Sequence, residues 1–236
     1  MTSYFSKSKT AFYSLIFTAP LFLIYEIGIL SVSMDDLPVL RNGADVFMRQ
    51  IMESIGLLGL QGFGFMSLIA VAAILISRIR TNQSFTINAM TLVYMVFESI
   101  AWMTGLFIIF SLSELYLLTT TVKGLMHQVV LSLGAGIYEE LLFRVLLING
   151  IAAIFKFALS WKKPMQYVGA IFISALIFSL FHFIGSAGDS YSFRILLFRI
   201  IGGLYLGGVY VFRGYGIAAW THSLYDIFVL FAMHLA

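Results

Sequence analysis

The residues best suited to chemistry in this chain are Glu139, Glu140 and Arg144, three ionisable side chains within six positions of an otherwise apolar run. A charged residue at the centre of a membrane span costs about 2.5–3.5 kcal/mol on insertion scales, before pairing reduces it. Such a cluster therefore points to a wet cavity, a relay or a catalytic site. Glu140 and Arg144 stand four apart, so on a helix they share one face in the favourable acid-before-base order. That spacing predicts a neutralising ion pair. Glu139 is turned about 100° away from that face, as 3.6 residues per turn dictates, and is less readily neutralised. It either acts as a general base in a partly desolvated cavity or helps Glu140 brace the arginine. Further on, His182 stands alone near the end of an apolar segment, as a catalyst or as a structural ring bonded to a backbone carbonyl. His222 and Asp226 lie one turn apart, so the carboxylate can orient the imidazole, steer a metal-bound ring or lock two helices together.

The elements that must hold these groups are membrane helices. The 236 residues are 61% hydrophobic and only 11% charged, against about 25% charged in an average soluble chain. This excludes a soluble enzyme, a disordered tail and a nucleic-acid module. About 20 apolar residues make one span, so the length fits about seven. Hydropathy and breakers place them at residues 11–32, 55–77, 87–112, 129–155, 165–184, 195–212 and 215–235. The polar stretch 35–53 carries Val46, Phe47, Ile51 and Met52 at helical spacing, which suits a helix lying on the membrane surface. The fold expected is an all-α polytopic bundle forming one integral-membrane domain, residues 1–236. The first span is too long for a signal-peptide core and reads as retained.

With the N-terminus inside, the inner loops hold Lys7, Lys9, Arg78, Arg80, Lys156, Lys162, Lys163 and Arg213, against Arg41, Arg49, Lys123 and Arg194 outside. Lys and Arg favour cytoplasmic loops, which supports that orientation and tips the site towards the outer face. No cysteine is present, so there is no disulfide, thiolate nucleophile or Cys-ligated metal. Gly134 and Gly136 allow close helix approach just before the glutamates. Glu98 reads as structural, whereas Glu26 and Arg199 have no role selected by spacing. Ser179 and Ser223 each lie near a histidine, but no Gly-x-Ser loop supports a serine nucleophile.

Glu-Glu-x-x-x-Arg, Phe-x-x-x-His and His-x-x-x-Asp follow one another on consecutive apolar segments between Glu139 and Asp226. In that order they resemble the CPBP family, the CAAX-processing endopeptidases and the bacteriocin-processing or Abi proteins. The likeness covers residues 125–236, the expected catalytic core. It implies an intramembrane endopeptidase acting on a membrane-associated protein or peptide, in a bacterium at the plasma (inner) membrane. By the same resemblance Glu139 activates water with His182 assisting, Glu140 and Arg144 complete the first motif, and His222 is the second essential histidine. Asp226 departs from the family, which usually places Asn there. An ionised Asp accepts hydrogen bonds but cannot donate one to an oxyanion.

Two mechanisms are open at this point. In the favoured one no cofactor is required: Glu139 and His182 deprotonate water and His222 stabilises the developing charge. In the alternative, zinc is held by His182, His222 and Glu139 and lowers the pKa of its water to about 7. Competing classes are a proton-coupled transporter, which calls for acids spread along a path through several spans, and a non-catalytic immunity or binding protein that keeps the motifs as scaffold.

Overall fold

The computed structural model describes residues 4–30, 41–57, 72, 75–76, 78–80, 86–112, 124–184 and 188–235. Its elements are α1 (Tyr4–Ser8), α2 (Ala11–Leu30), α3 (Gly43–Ser54), α4 (Ala89–Leu112), α5 (Leu125–Leu159), α6 (Lys163–Phe181), α7 (Phe193–Arg213) and α8 (Tyr215–Leu235). No strand occurs among the described residues. The all-α polytopic class read from composition is the class found. Of these helices α2, α4, α5, α6 and α7 are long and apolar enough to cross a membrane. The expected span at 55–77 lies largely outside the described residues.

At the position of the seventh expected span stands helix α8, whose 21 residues include His222 and Asp226 and which is not among the five helices apolar enough to cross a membrane. It packs against α2, α4, α5 and α7, and Ile217, Ala218, Ala219, Thr221 and Ser223 on it are fully buried. A helix enclosed by protein meets no lipid on those faces, so it tolerates polar residues that a peripheral span excludes. The outer helices behave oppositely. Along α6 the side chains of Val168, Phe172 and Leu176 face outward at four-residue spacing, and along α4 Val93 and Phe97 do the same.

Local sequence sets the boundaries. Pro164 lies in the first turn of α6, where its missing N–H costs nothing and its fixed φ suits a helix start. The end of α5 places Ser160 in the left-handed region (φ 51°), and Trp161 N–H returns to the Phe155 carbonyl at 3.2 Å, a six-residue closure that satisfies a terminal carbonyl. The α7–α8 corner turns on Gly214, at φ 92°. A Cβ there would stand 3.2 Å from the Lys9 carbonyl oxygen. That corner requires glycine on both counts.

A helix does form within the 35–53 stretch, as α3, with Phe47 and Ile51 facing outward. Its inner face is Ala44, Asp45 and Met48. A buried aspartate is tolerated there because Arg41 and Arg49 reach it at 2.7 and 2.6 Å and the Tyr25 hydroxyl donates to it at 2.9 Å.

Candidate active site

Helix α5 extends beyond the expected 129–155 at both ends and changes pitch where the motif lies. Residues Ala135–Ile148 form a π-helix, whose hydrogen bonds close over five residues instead of four; π turns are rare and concentrate at functional sites. The glycines foreseen as contact points frame its start. A Cβ on Gly134 would meet the Tyr25 ring at 2.5 Å. On Gly136 it would strike the Ala219 carbonyl at 2.5 Å and Ser223 Oγ closer still. These contacts seat α5 against α2 and α8 at the level of the glutamates.

The two glutamates diverge. Glu140 is sealed from solvent, with Oε2 3.1 Å from Nε of Arg144 and Oε1 accepting from Nδ1–H of His222 at 2.8 Å. The Arg144 guanidinium is 1% exposed and lies over the Phe178 ring at 4.4 Å. Charge neutralisation and a cation–π face together make this arginine tolerable in the bundle. The ion pair foreseen from the four-residue spacing is present, and it carries a histidine on its other side.

Glu139 faces a cavity of about 170 Å³ between α4, α5, α6, α7 and α8. Its polar walls are Glu139, His182, Arg199, His222, Tyr225 and Asp226; Leu106, Phe110, Phe178 and Phe198 supply apolar walls. Of the six residues singled out in the sequence, Glu139, His182, His222 and Asp226 line this space. Glu140 and Arg144 stand behind it.

His182 is bonded to a backbone carbonyl and also lines the cavity. Its Nδ1 lies 2.8 Å from the Phe178 carbonyl. That oxygen can only accept, so the Nδ1 proton belongs on this contact and Nε2 is turned to Glu139 Oε1, 3.8 Å away. His222 is oriented by Glu140 at 2.8 Å, whereas Asp226 Oδ2 stands 3.6 Å from its Nε2. The carboxylate that fixes this ring thus comes from the first motif and not from the residue one turn along.

Spacing gave no signal for Asn42. Its Nδ2 donates to Glu139 Oε1 at 2.8 Å across 97 positions of sequence. The available clue was a helix start, Asn-Gly-Ala-Asp before an amphipathic run, which marks a cap and says nothing of a partner. Arg199 joins the cavity wall and pairs with Asp189. Glu26 is drawn away to Arg49 (3.2 Å) and the Tyr138 hydroxyl (3.0 Å). Glu98 is structural, as expected, accepting from Tyr4, Trp102 and Arg213. Ser179 donates to the Leu196 carbonyl at 2.8 Å. Neither it nor Ser223 reaches the cavity wall. Among the described residues no three His, Asp or Glu side chains are gathered as a metal site would need. His182, His222 and Glu139 share the cavity, and Nδ1 of each ring is committed to a protein partner, which leaves Nε2 as the nitrogen available to a group in the cavity.

Comparison with known proteins agrees with the motifs. Residues 121–228 match the Rce1-like family, described as type II CAAX prenyl endopeptidase Rce1-like. The matched segment holds all six motif residues, so this part of the chain is similar to the Rce1-like endopeptidases, in agreement with the resemblance to the CPBP proteins. No curated protein and no solved structure gives a significant match.

Proposed function

We propose that this protein is an intramembrane endopeptidase that hydrolyses a peptide bond of a membrane-associated protein or peptide with a water held between Glu139 and His182. The observation that carries the reading is the 3.8 Å separation of Glu139 Oε1 and His182 Nε2 at the wall of a cavity. With Nδ1 donating to Phe178, both facing atoms are acceptors. Two acceptors repel unless a donor lies between them, and a water has the two protons required.

The reaction then runs on this chain's own groups. Glu139 takes one proton from the water as its oxygen bonds to the scissile carbonyl carbon, with His182 accepting a hydrogen bond from the other. The carbonyl oxygen becomes an oxyanion, for which His222, held by Glu140, is the donor when both of its nitrogens are protonated. Glu139 passes its proton to the leaving nitrogen, the C–N bond breaks, and the water oxygen remains with its second proton in the new carboxyl group, which ionises to solvent on release. Glu26 and Glu98, which a proton path would employ, are both engaged away from the cavity. That favours hydrolysis over transport.

Comparing the C-termini of membrane proteins by mass spectrometry, between cells carrying the native protein and cells carrying Glu139→Ala, tests the activity. Shortened termini present only with the native protein are expected; identical termini overturn the proposal. The metal-free mechanism is checked on purified protein. Cleavage that persists after exhaustive chelation is expected, and loss restored by zinc alone rejects it.

A further inference from the structure

We infer that Asn42, from a part of the chain outside the matched domain, is a positioning residue that fixes the Glu139 carboxylate in its working orientation; the inference rests on the endopeptidase reading. Asn42 is 8% exposed and starts α3, where its Oδ1 accepts the Ala44 N–H at 2.9 Å. That capping bond decides which way the amide faces. With Oδ1 committed to the cap, Nδ2 is the atom turned to Glu139, at 2.8 Å. The backbone is fixed as well: Asn42 N–H donates to the Tyr25 hydroxyl at 3.2 Å, and the same hydroxyl donates to Asp45. Behind it Gly134 has no side chain, and a Cβ there would lie 3.0 Å from Asn42 Cβ.

Asn42 is not a wall of the cavity, so it acts through Glu139. Both Asn42 Nδ2 and His182 Nε2 address Oε1 of that carboxylate. One lone pair is taken by the amide, which leaves the other directed at the imidazole and sets where a bound water sits. A carboxylate released from the amide can rotate about its last bond, and a reacting group displaced by about 1 Å loses about a hundredfold in rate.

The test separates capping from positioning. Asn42→Ser preserves a good helix cap but is too short to reach Glu139, whereas Asn42→Asp preserves the cap and sets a second carboxylate against the first. In purified protein, the infrared carboxylate band assigned to Glu139 by its loss in Glu139→Gln is expected to shift in Asn42→Ser. On a peptide spanning the cleavage site found by the terminal comparison, kcat is expected to fall about ten- to a hundredfold, with KM within about twofold and a deeper loss in Asn42→Asp. A native kcat in Asn42→Ser, or a Glu139 band that does not move, overturns the inference. If Glu139→Gln itself cleaves normally, the assignment of Glu139 as the base fails instead, and if native protein does not cleave, the endopeptidase reading fails; in both cases the band still reports whether Asn42 touches Glu139.

Discussion

Adjacent glutamates stand in opposite surroundings here, and single substitutions separate them. Glu140 is buried between Arg144 and His222, so Glu140→Gln strands the arginine's charge. Removing one partner of a buried pair destabilises by about 3–5 kcal/mol, and thermal unfolding in detergent is expected to show a loss of that order. Glu139→Gln keeps an oxygen to accept from Asn42 and is expected to unfold near the native temperature while cleaving nothing. Equal stability of the two variants would remove the basis for assigning them different tasks. Asp226 supplies a second expectation. Since Glu140 holds the His222 ring at 2.8 Å and Asp226 stands off at 3.6 Å, Asp226→Asn leaves the ring in place and adds a donor at the cavity wall. Cleavage is expected to stay within about tenfold of native, given that one neutral hydrogen bond contributes about 0.5–1.5 kcal/mol; a loss as deep as that of His222→Ala would make the negative charge itself essential. At this scale the Glu140–Arg144 pair was legible because side-chain spacing encodes it. The Glu140–His222 and Asn42–Glu139 bonds join different helices, and no local spacing records a tertiary contact.

At the scale of elements, the site depends on how closely α5 and α8 approach. Gly136 presses on the Ala219 carbonyl and Ser223, so Gly136→Ala must drive the two helices apart and carry Glu140 away from His222. Overpacking of this kind costs about 1–3 kcal/mol, and cleavage is expected to be lost along with that stability. Gly150 is the internal control. Nothing lies within 4 Å of a Cβ placed on it, and Gly150→Ala is expected to stabilise α5 by up to about 1 kcal/mol through helix propensity, with cleavage retained. Parallel unfolding and cleavage measurements on the pair check both signs. Most helix positions were legible from apolar run length, because lipid-facing surfaces demand it. The π-helical pitch of Ala135–Ile148 was not: an i, i+4 ion pair fits either pitch, and hydropathy carries no record of hydrogen-bond register. Nor does hydropathy recognise α8 by its role, since enclosure by four other helices relaxes the demand for apolar residues.

Among the described residues buried charge gathers around Asp45 beneath α3 and in two clusters deeper in the bundle, the first of them at the cavity. The second ties the N-terminal helix to the bundle: Glu98 on α4 accepts from Tyr4 on α1 at 2.5 Å and pairs with Arg213 at the end of α7. Arg213 also donates to Ser8 at 2.7 Å. None of these residues lines the site, and the network joins α1, α4 and α7, which fixes their relative positions. Buried pairs of this sort are replaceable as pairs and intolerant of single cuts. Glu98→Leu alone leaves Arg213 uncompensated and is expected to cost about 3 kcal/mol, as is Arg213→Met alone. The double variant is expected to recover most of that loss, because two apolar side chains need no partner. Cleavage should survive in the double variant at close to the native rate, whereas no combination of substitutions at Glu139, His182 and His222 should preserve it. A double variant that folds but does not cleave would mean that the brace at this end governs the geometry of the cavity, making the two clusters one coupled system instead of a scaffold and a site.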